Sequence, residues 1–254
     1  MQSLFMLSDS RWEEVRTIIE PKPRKRKVSL RVIMSGIIYL LENGCKWASL
    51  PLCYGHYKLA WYYYHKWMLY GTLEQLLYAL SVKVRTKKQQ RKAEPSVVII
   101  DSQSVKTTAG TSEQTGYDAN KKVKGRKRHI ATDTQGNVVA AGVTSAGVHD
   151  KPGSLSLKEQ IEDLGSVKKI VADGAYRGIP PFTAHGHVEW EIAEKINGND
   201  SCFKVLPKRW IVERTLAWLS NFRRLSKDYE KSIVMSKAMI LMSAIVITLN
   251  KLCT

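Results

Sequence analysis

The spacing of apolar residues changes part-way along the chain. In residues 8–20, "SDSRWEEVRTIIE", Trp12, Val15, Ile18 and Ile19 recur at helical spacing behind a Ser or Asp cap. Ser29 looks like the cap of a second helix, with Leu30, Ile33, Met34, Ile37, Ile38 and Leu41 on one face and Asn43-Gly44 at its end. "WASLP" (47–51) is a turn. A third helix, "HYKLAWYYYHKWMLY" (56–70), is rich in aromatics and stops at Gly71. Residues 73–84 form a fourth. The basic stretch "PKPRKRK" (21–27) is a linker, and "KVRTKKQQRK" (83–92) is a charged hinge. Residues 1–92 therefore read as a small all-helical domain.

From Ser96 onward the pattern is that of strands. "SVVIID" (96–101) is a β-branched run ending in an acid, and "KRHIATDTQGNVVAAGVTSA" (127–146) is two strands joined at 134–137. A helix covers 152–165. "KKIVADG" (168–174) is a second strand ending in an acid, and "HVEWEIAEK" (187–195) is a further strand. "RWIVERTLAWLSNFRRL" (209–225) and 236–252 are helices. Such an order predicts an α/β domain over 93–254, a mixed sheet with helices on its faces. The apolar runs 32–41 and 238–249 are shorter than the roughly 18–20 residues of a membrane span and read as core helices.

Charge sharpens this picture. The 254 residues carry 40 Lys+Arg against 23 Asp+Glu, a formal net charge of +17, which points to a polyanionic partner and first of all to nucleic acid. A membrane surface is the weaker choice, because the basic residues fall in three separate regions. Asp9, Glu13 and Glu14 in the first helix argue against a secretory signal. Cys45, Cys53, Cys202 and Cys253 have no C-x-x-C spacing and read as free thiols in a reducing cytoplasm. His185 and His187 lack a further Cys or His nearby and read as loop residues rather than metal ligands.

Within so basic a chain, three acids stand out. Asp101 and Asp173 each end a β-branched run, 72 residues apart (173 − 101 = 72), and Glu213 sits among Arg209, Arg214, Arg223 and Arg224 on the helix that follows the last strand. If the two strands are parallel neighbours, both aspartates emerge at one edge, and a helix packed across that edge adds the glutamate. Each alone has a plainer reading, as a turn residue or as an i−4 partner of Arg209. Together, three hard oxygen ligands suit Mg2+ or Mn2+, and a pair of such ions suits phosphoryl transfer. The glutamate lies away from the apolar stripe of its helix, and the arginines would serve the phosphates.

These residues carry a resemblance. "DSQSVKT" (101–107), "GYDANKKVKGRKRHIATDTQGN" (116–137), "VADGAYRG" (171–178) and "LPKRWIVERTLAWLSNFRRLSKDYE" (206–230), with "WASLP" and "YGHYKLAWYYYHKW" before them, resemble the DDE transposases of bacterial insertion sequences, in particular insertion-sequence family five. The resemblance implies an RNase H-like catalytic domain, Asp101, Asp173 and Glu213 as catalytic and metal-binding residues, and Mg2+ or Mn2+ as a pair of ions. It implies that water cuts a phosphodiester at the element's end, and that the freed 3′-hydroxyl then attacks target DNA. Partners would be the terminal inverted repeats, target DNA and further copies of the chain, as a homodimer or larger, in the bacterial cytoplasm and at the nucleoid. Two places depart from the superfamily: Leu206 replaces a tyrosine and Ser220 a lysine, with Arg209 retained and Arg223 and Arg224 as candidate substitutes.

The expected DNA-binding residues are Lys106, Lys121, Lys122, Lys124, Arg126, Lys127, Arg128, Arg177, Arg209, Arg214, Arg223 and Arg224. The run 121–129 is expected to hold the DNA backbone, which positions without reading sequence. On 57–70, core packing is expected for most rings, with His56, Lys58, His65 and Lys66 outside. Residues 29–70 have the position of a helix-turn-helix. Two other functions fit the sequence less well: a nuclease of the same fold that never joins strands, and a catalytically silent DNA-binding regulator.

Overall fold

In the computed structural model, residues 6–109, 113–178, 188–193 and 208–253 are described. Four helices open the fold: α1 (Asp9–Ile19), α2 (Leu30–Asn43), α3 (Tyr57–Leu69) and α4 (Thr72–Lys83). Local chemistry sets their ends. The Ser8 hydroxyl accepts from Arg11 N and the Ser29 hydroxyl from Val32 N, each satisfying a donor the first turn leaves open. Gly44 closes α2 in the left-handed region at φ 68°, donating to Leu40 O at 2.9 Å.

The predicted hinge is not one. Residues Val84–Lys88 continue α4 as a π-helical turn, and Arg85 is buried in an ion pair with Asp133 while donating to the carbonyls of Lys92 and Ala93. A buried, paired guanidinium fixes this connection to the sheet.

The sheet follows: β1 (Val97–Lys106), β2 (Gly116–Asp118), β3 (Val123–Asp133), β4 (Val138–Ser145), β5 (Lys169–Asp173) and β6 (Glu189–Ala193). Its order is β2-β3-β1-β5-β6, with β4 on the same side of β3 as β2. The β1–β3 and β3–β4 pairs are antiparallel; β1–β5 and β5–β6 are parallel. Short helices α5 (Asp150–Gly153) and α6 (Leu155–Glu162) cover one face, where Leu157 and Ile161 pack with Val98, Ile100 and Ile170. On the other face lie α7 (Arg209–Ser220) and α8 (Ile233–Cys253).

One apolar core joins α1–α4, α7, α8 and the near face of the sheet, including Ile99, Ile130 and Val171. At 21 residues, α8 is longer than the apolar run expected from sequence and matches a membrane span in length and composition. It is a core helix, with 72% of its most apolar window buried in the fold. Tyr64 of α3 donates its hydroxyl to Met235 O, tying the helical layer to α8. Cys45, Cys53 and Cys253 are unpaired; Cys202, Leu206, His185 and His187 lie outside the described residues.

Candidate active site

The site begins with strand register. Val97 pairs with Lys169, Val98 with Ile170 and Ile99 with Val171, so the two strands keep the offset of 72 that separates Asp101 from Asp173. The parallel pairing stops there, two residues short of both aspartates. Beyond it, β1 stays paired with β3 as far as Lys106, and β5 stays paired with β6 as far as Asp173. Asp101 is therefore not the last residue of its strand, as its sequence suggested; β3 is long enough to carry β1 on. The aspartates instead flank the gap where two parallel neighbours part, the place where open α/β sheets bind ligands.

Helix α7 lies across this gap and is pinned to the sheet. The Thr215 hydroxyl donates to Gly136 O at 3.3 Å and Arg214 Nη2 to Gln135 O at 3.4 Å, both in the β3–β4 turn. Gly136, at φ 75°, leaves room for this approach; a Cβ there would come within 2.8 Å of Thr215 Oγ1. Ile211, Val212, Thr215, Leu216 and Leu219 turn inward, leaving Glu213 half-exposed on the outer face.

Arg209 links the three acids. Its Nε and Nη2 donate to one oxygen of Glu213, at 3.0 and 2.7 Å, and its charge also reaches Asp101 and Asp173. Partial burial works against the guanidinium, but Glu213 and then the two aspartates outweigh it and raise its pKa. Burial pushes the Asp101 carboxyl up to about 6; the Ser102 backbone N–H, Arg209 and Lys121 oppose this, and Asp173 adds to it. Asp101 is thus a carboxylate short of positive charge, with a second carboxylate beside it.

The donor set fits a hard divalent cation. Asp101 and Asp173 stand at matching positions on neighbouring strands, and the raised Asp101 is the group a cation would relieve. Glu213 is turned to Arg209, and among the described residues no group of three or more acids, histidines or cysteines lies close enough to share one ion.

Several residues expected on DNA are buried instead. Arg126 is fully buried, donating to Glu230 O at 2.8 Å and Lys231 O at 2.6 Å and paired with Asp228 at 3.2 Å. Arg128 donates to Leu225 O and Lys227 O. Lys127, on the opposite face, donates to Val148 O and pairs with Asp150 at 3.0 Å. Arg224 is buried against Glu230 and Cys45 O, beyond the end of α7 at Ser220. Arg214 lies between the Trp210 and Trp218 rings, 4.6 and 4.5 Å from their centres. The expectation that Arg126, Lys127, Arg128 and Arg224 touch DNA is corrected on this ground: their charges are spent inside the fold. Lys106, Lys121, Lys122, Lys124, Arg177 and Arg223 remain on the surface, and Arg209 faces the acids.

Sequence reasoning missed the support beneath Asp101. Ser102 points to the opposite face, where its hydroxyl donates to Asp150 Oδ1 at 2.5 Å; Asp150 pairs with Lys127, and Lys127 lies 3.6 Å from Asp118. Ser104 donates to Asp118. Two acids at strand and helix ends bracketing a lysine were the available signal.

Residues 92–249 match the family described as "Transposase DDE domain", and residues 7–77 match the one described as "Putative transposase of IS4/5 family". A relative from Burkholderia cepacia, "Putative transposase for insertion sequence element IS402", is 33% identical over 127 residues, 42% of this chain and 54% of the relative. The match thus spans about half the length of that curated relative. No solved structure matches the chain. Domains of the matched family are RNase H-like and divalent-metal dependent. With two aspartates flanking the parting strands and a match over most of its length, the chain belongs to the DDE-domain transposase family.

Proposed function

We propose that the protein is the transposase of a bacterial insertion sequence, cutting the ends of its element and joining them to target DNA. The observation that supports this most directly is the shared register of Asp101 and Asp173 in a chain of this family. Asp101 and Asp173 would hold the divalent ion, Mg2+ or Mn2+ and as a pair, with Glu213 joining once Arg209 lets it go. The ion supplies charge stabilisation and an activated oxygen nucleophile when bound. The protein's own part is positional. The cleft would hold a phosphate between the two aspartates, and Arg209 would offer a planar donor fork to its oxygens. In the first step water oxygen bonds to phosphorus as the P–O3′ bond breaks, leaving a 3′-hydroxyl. In the second, that hydroxyl attacks target phosphorus and displaces a second 3′-oxygen.

Residues 1–92 are proposed to choose the DNA end and 93–254 to hold the chemistry. The acting form is proposed to be a homodimer or larger on DNA, in the bacterial cytoplasm. Incubating the protein with labelled element ends, a target plasmid and Mg2+ tests the reading. Joined product is expected. Cut but unjoined ends would make it a nuclease, and a shifted, uncut band a silent regulator.

A further inference from the structure

Helix α3 divides its aromatic residues between two environments. Ala60, Tyr64, Trp67 and Met68 are buried. Tyr62, Lys66 and Tyr70, spaced i, i+4 and i+8, form a stripe on the outside, with Tyr62 51% and Tyr70 74% exposed. Trp61 beside them is 46% exposed. So much exposed ring surface on one helix face is a feature of binding sites. A polar groove of about 490 Å³ opens beside Lys66 and Tyr70, with Tyr63 and Trp67 also in its lining and Tyr62 outside it, and its other wall is the 21–26 segment with Lys22, Arg24, Lys25 and Arg26. Glu20 also lines it but is taken by Arg26. Between residues 21 and 73 the single acid is Glu42. The Lys66 ammonium lies 5.9 Å above the Tyr62 ring, so cation and π-face are presented together.

Cations along one wall, the exposed Tyr70 ring on the other, and the exposed Tyr62 ring two turns further along the same helix match a nucleic-acid strand whose bases are unpaired. A duplex offers phosphates but no base faces, whereas every unpaired base can stack. Tyr62 and Tyr70 are eight residues apart, about 12 Å of backbone rise along the helix axis, room for bases to stack separately. We propose that the groove between 21–26 and the outer face of α3 binds an unpaired DNA strand. Tyr62 and Tyr70 stack its bases, and Arg24, Lys25 and Lys66 hold its backbone. The proposal rests on the transposase reading only for the identity of the polymer. It adds a second DNA site, none of whose residues belongs to the catalytic rim.

Fluorescence anisotropy with the full-length protein tests it, using a labelled oligo-dT strand, an oligo-rU strand and a duplex of equal length. The Tyr62→Ala/Tyr70→Ala double variant should bind oligo-dT at least about tenfold more weakly and the duplex unchanged. Arg24→Gln/Lys25→Gln should weaken oligo-dT binding and flatten its salt dependence by about one unit of slope per phosphate no longer neutralised. Equal losses on dT and duplex, or none on dT, would overturn the proposal. So would tighter binding of rU than dT, or a fall in oligomer mass in the double variant, which would make the face an interface between copies. End cleavage by the same variants reads the transposase function separately: an inactive wild type that still binds dT through the tyrosines would sink that function and leave the groove standing.

Discussion

Asp101 and Asp173 hold the same register position on adjacent parallel strands, and the pairing between those strands ends two residues before it. No backbone ladder fills the space between the two carboxylates, yet each strand is held on its far side, β1 by β3 and β5 by β6. The arrangement is rigid behind the acids and open between them. A site that must hold charge in fixed geometry is built this way at a cost in stability, which can be measured.

Asp101→Asn should stabilise the metal-free protein at alkaline pH. The folded pKa of about 6 lies above the ordinary value of 3.8, so the folded state binds the proton more tightly than the unfolded one. Wild-type stability is then fullest below about pH 4 and falls as pH rises towards 6; above 6 the whole penalty applies, on the order of 2–3 kcal/mol. The asparagine still accepts from Ser102 N and carries no charge. Chemical denaturation of both proteins in EDTA at pH 4 and pH 8 should show equal stability at the first and a more stable variant at the second. Equal stability at both would show that Asp101 is not strained.

Basic residues of the β2–β3 region should separate by burial. Lys121→Gln, Lys122→Gln and Lys124→Gln alter exposed charges, and together should weaken binding to all DNA sequences alike. The salt dependence should flatten by about one unit of slope for each phosphate that loses its cation. Arg126→Met should act on the fold, because it leaves buried Asp228 without its guanidinium and several carbonyls without a donor. A loss of about 3 kcal/mol or more is expected in urea denaturation. A fully stable Arg126→Met protein that bound DNA poorly would reverse this assignment.

Arg209→Gln should raise metal affinity in the absence of DNA. The guanidinium holds Glu213 and adds positive charge beside both aspartates. Removing a half-buried charge of this kind is expected to tighten Mn2+ binding about fivefold, roughly 1 kcal/mol. Calorimetric titration with Mn2+ reads this without any turnover. Weaker Mn2+ binding by the variant would mean that Arg209 helps to organise the acids rather than competing for them.

Cutting the chain at residue 92 should not yield two stable pieces. Helices α1–α4 and α8 share one core, and Arg85 is buried against Asp133 across the cut. A 93–254 fragment would expose the apolar face of α8 and is expected to aggregate or to melt without a cooperative transition. Substitutions in residues 1–92 of the whole chain are then the way to test end choice. A soluble fragment with a sharp thermal transition would show that the helical layer is dispensable for folding.

Much of this architecture is legible in the sequence. The change from helical periodicity to β-branched runs near residue 96 marks where the helical layer gives way to the sheet, and the two runs ending in acids point to the positions that flank the gap between β1 and β5. Burial is harder to read. Arg126 and Arg128 look solvated because their partners are distant: Asp228 and the carbonyls of 225–231 lie about a hundred residues on, and the segment bearing them shows no pattern of its own. Their one clue is that "GRKRH" runs without a break into the apolar "IA" of the same strand. The apolar spacing also carries the predicted helix 209–225 past its true end. Phe222 and Leu225 keep the period, but the chain turns after Ser220 so that Arg224 can meet Glu230 and Cys45 O.

The most direct test compares the wild type with Asp101→Asn, Asp173→Asn and Glu213→Gln on labelled element ends in Mg2+, measuring cleavage and end binding on the same samples. Each change removes a carboxylate charge and keeps its shape. Cleavage is expected to fall by several orders of magnitude in all three, with end binding within about threefold of wild type. Near-normal cleavage by any one of them would contradict that residue's place in the site, and near-normal cleavage by both aspartate variants would contradict the site itself.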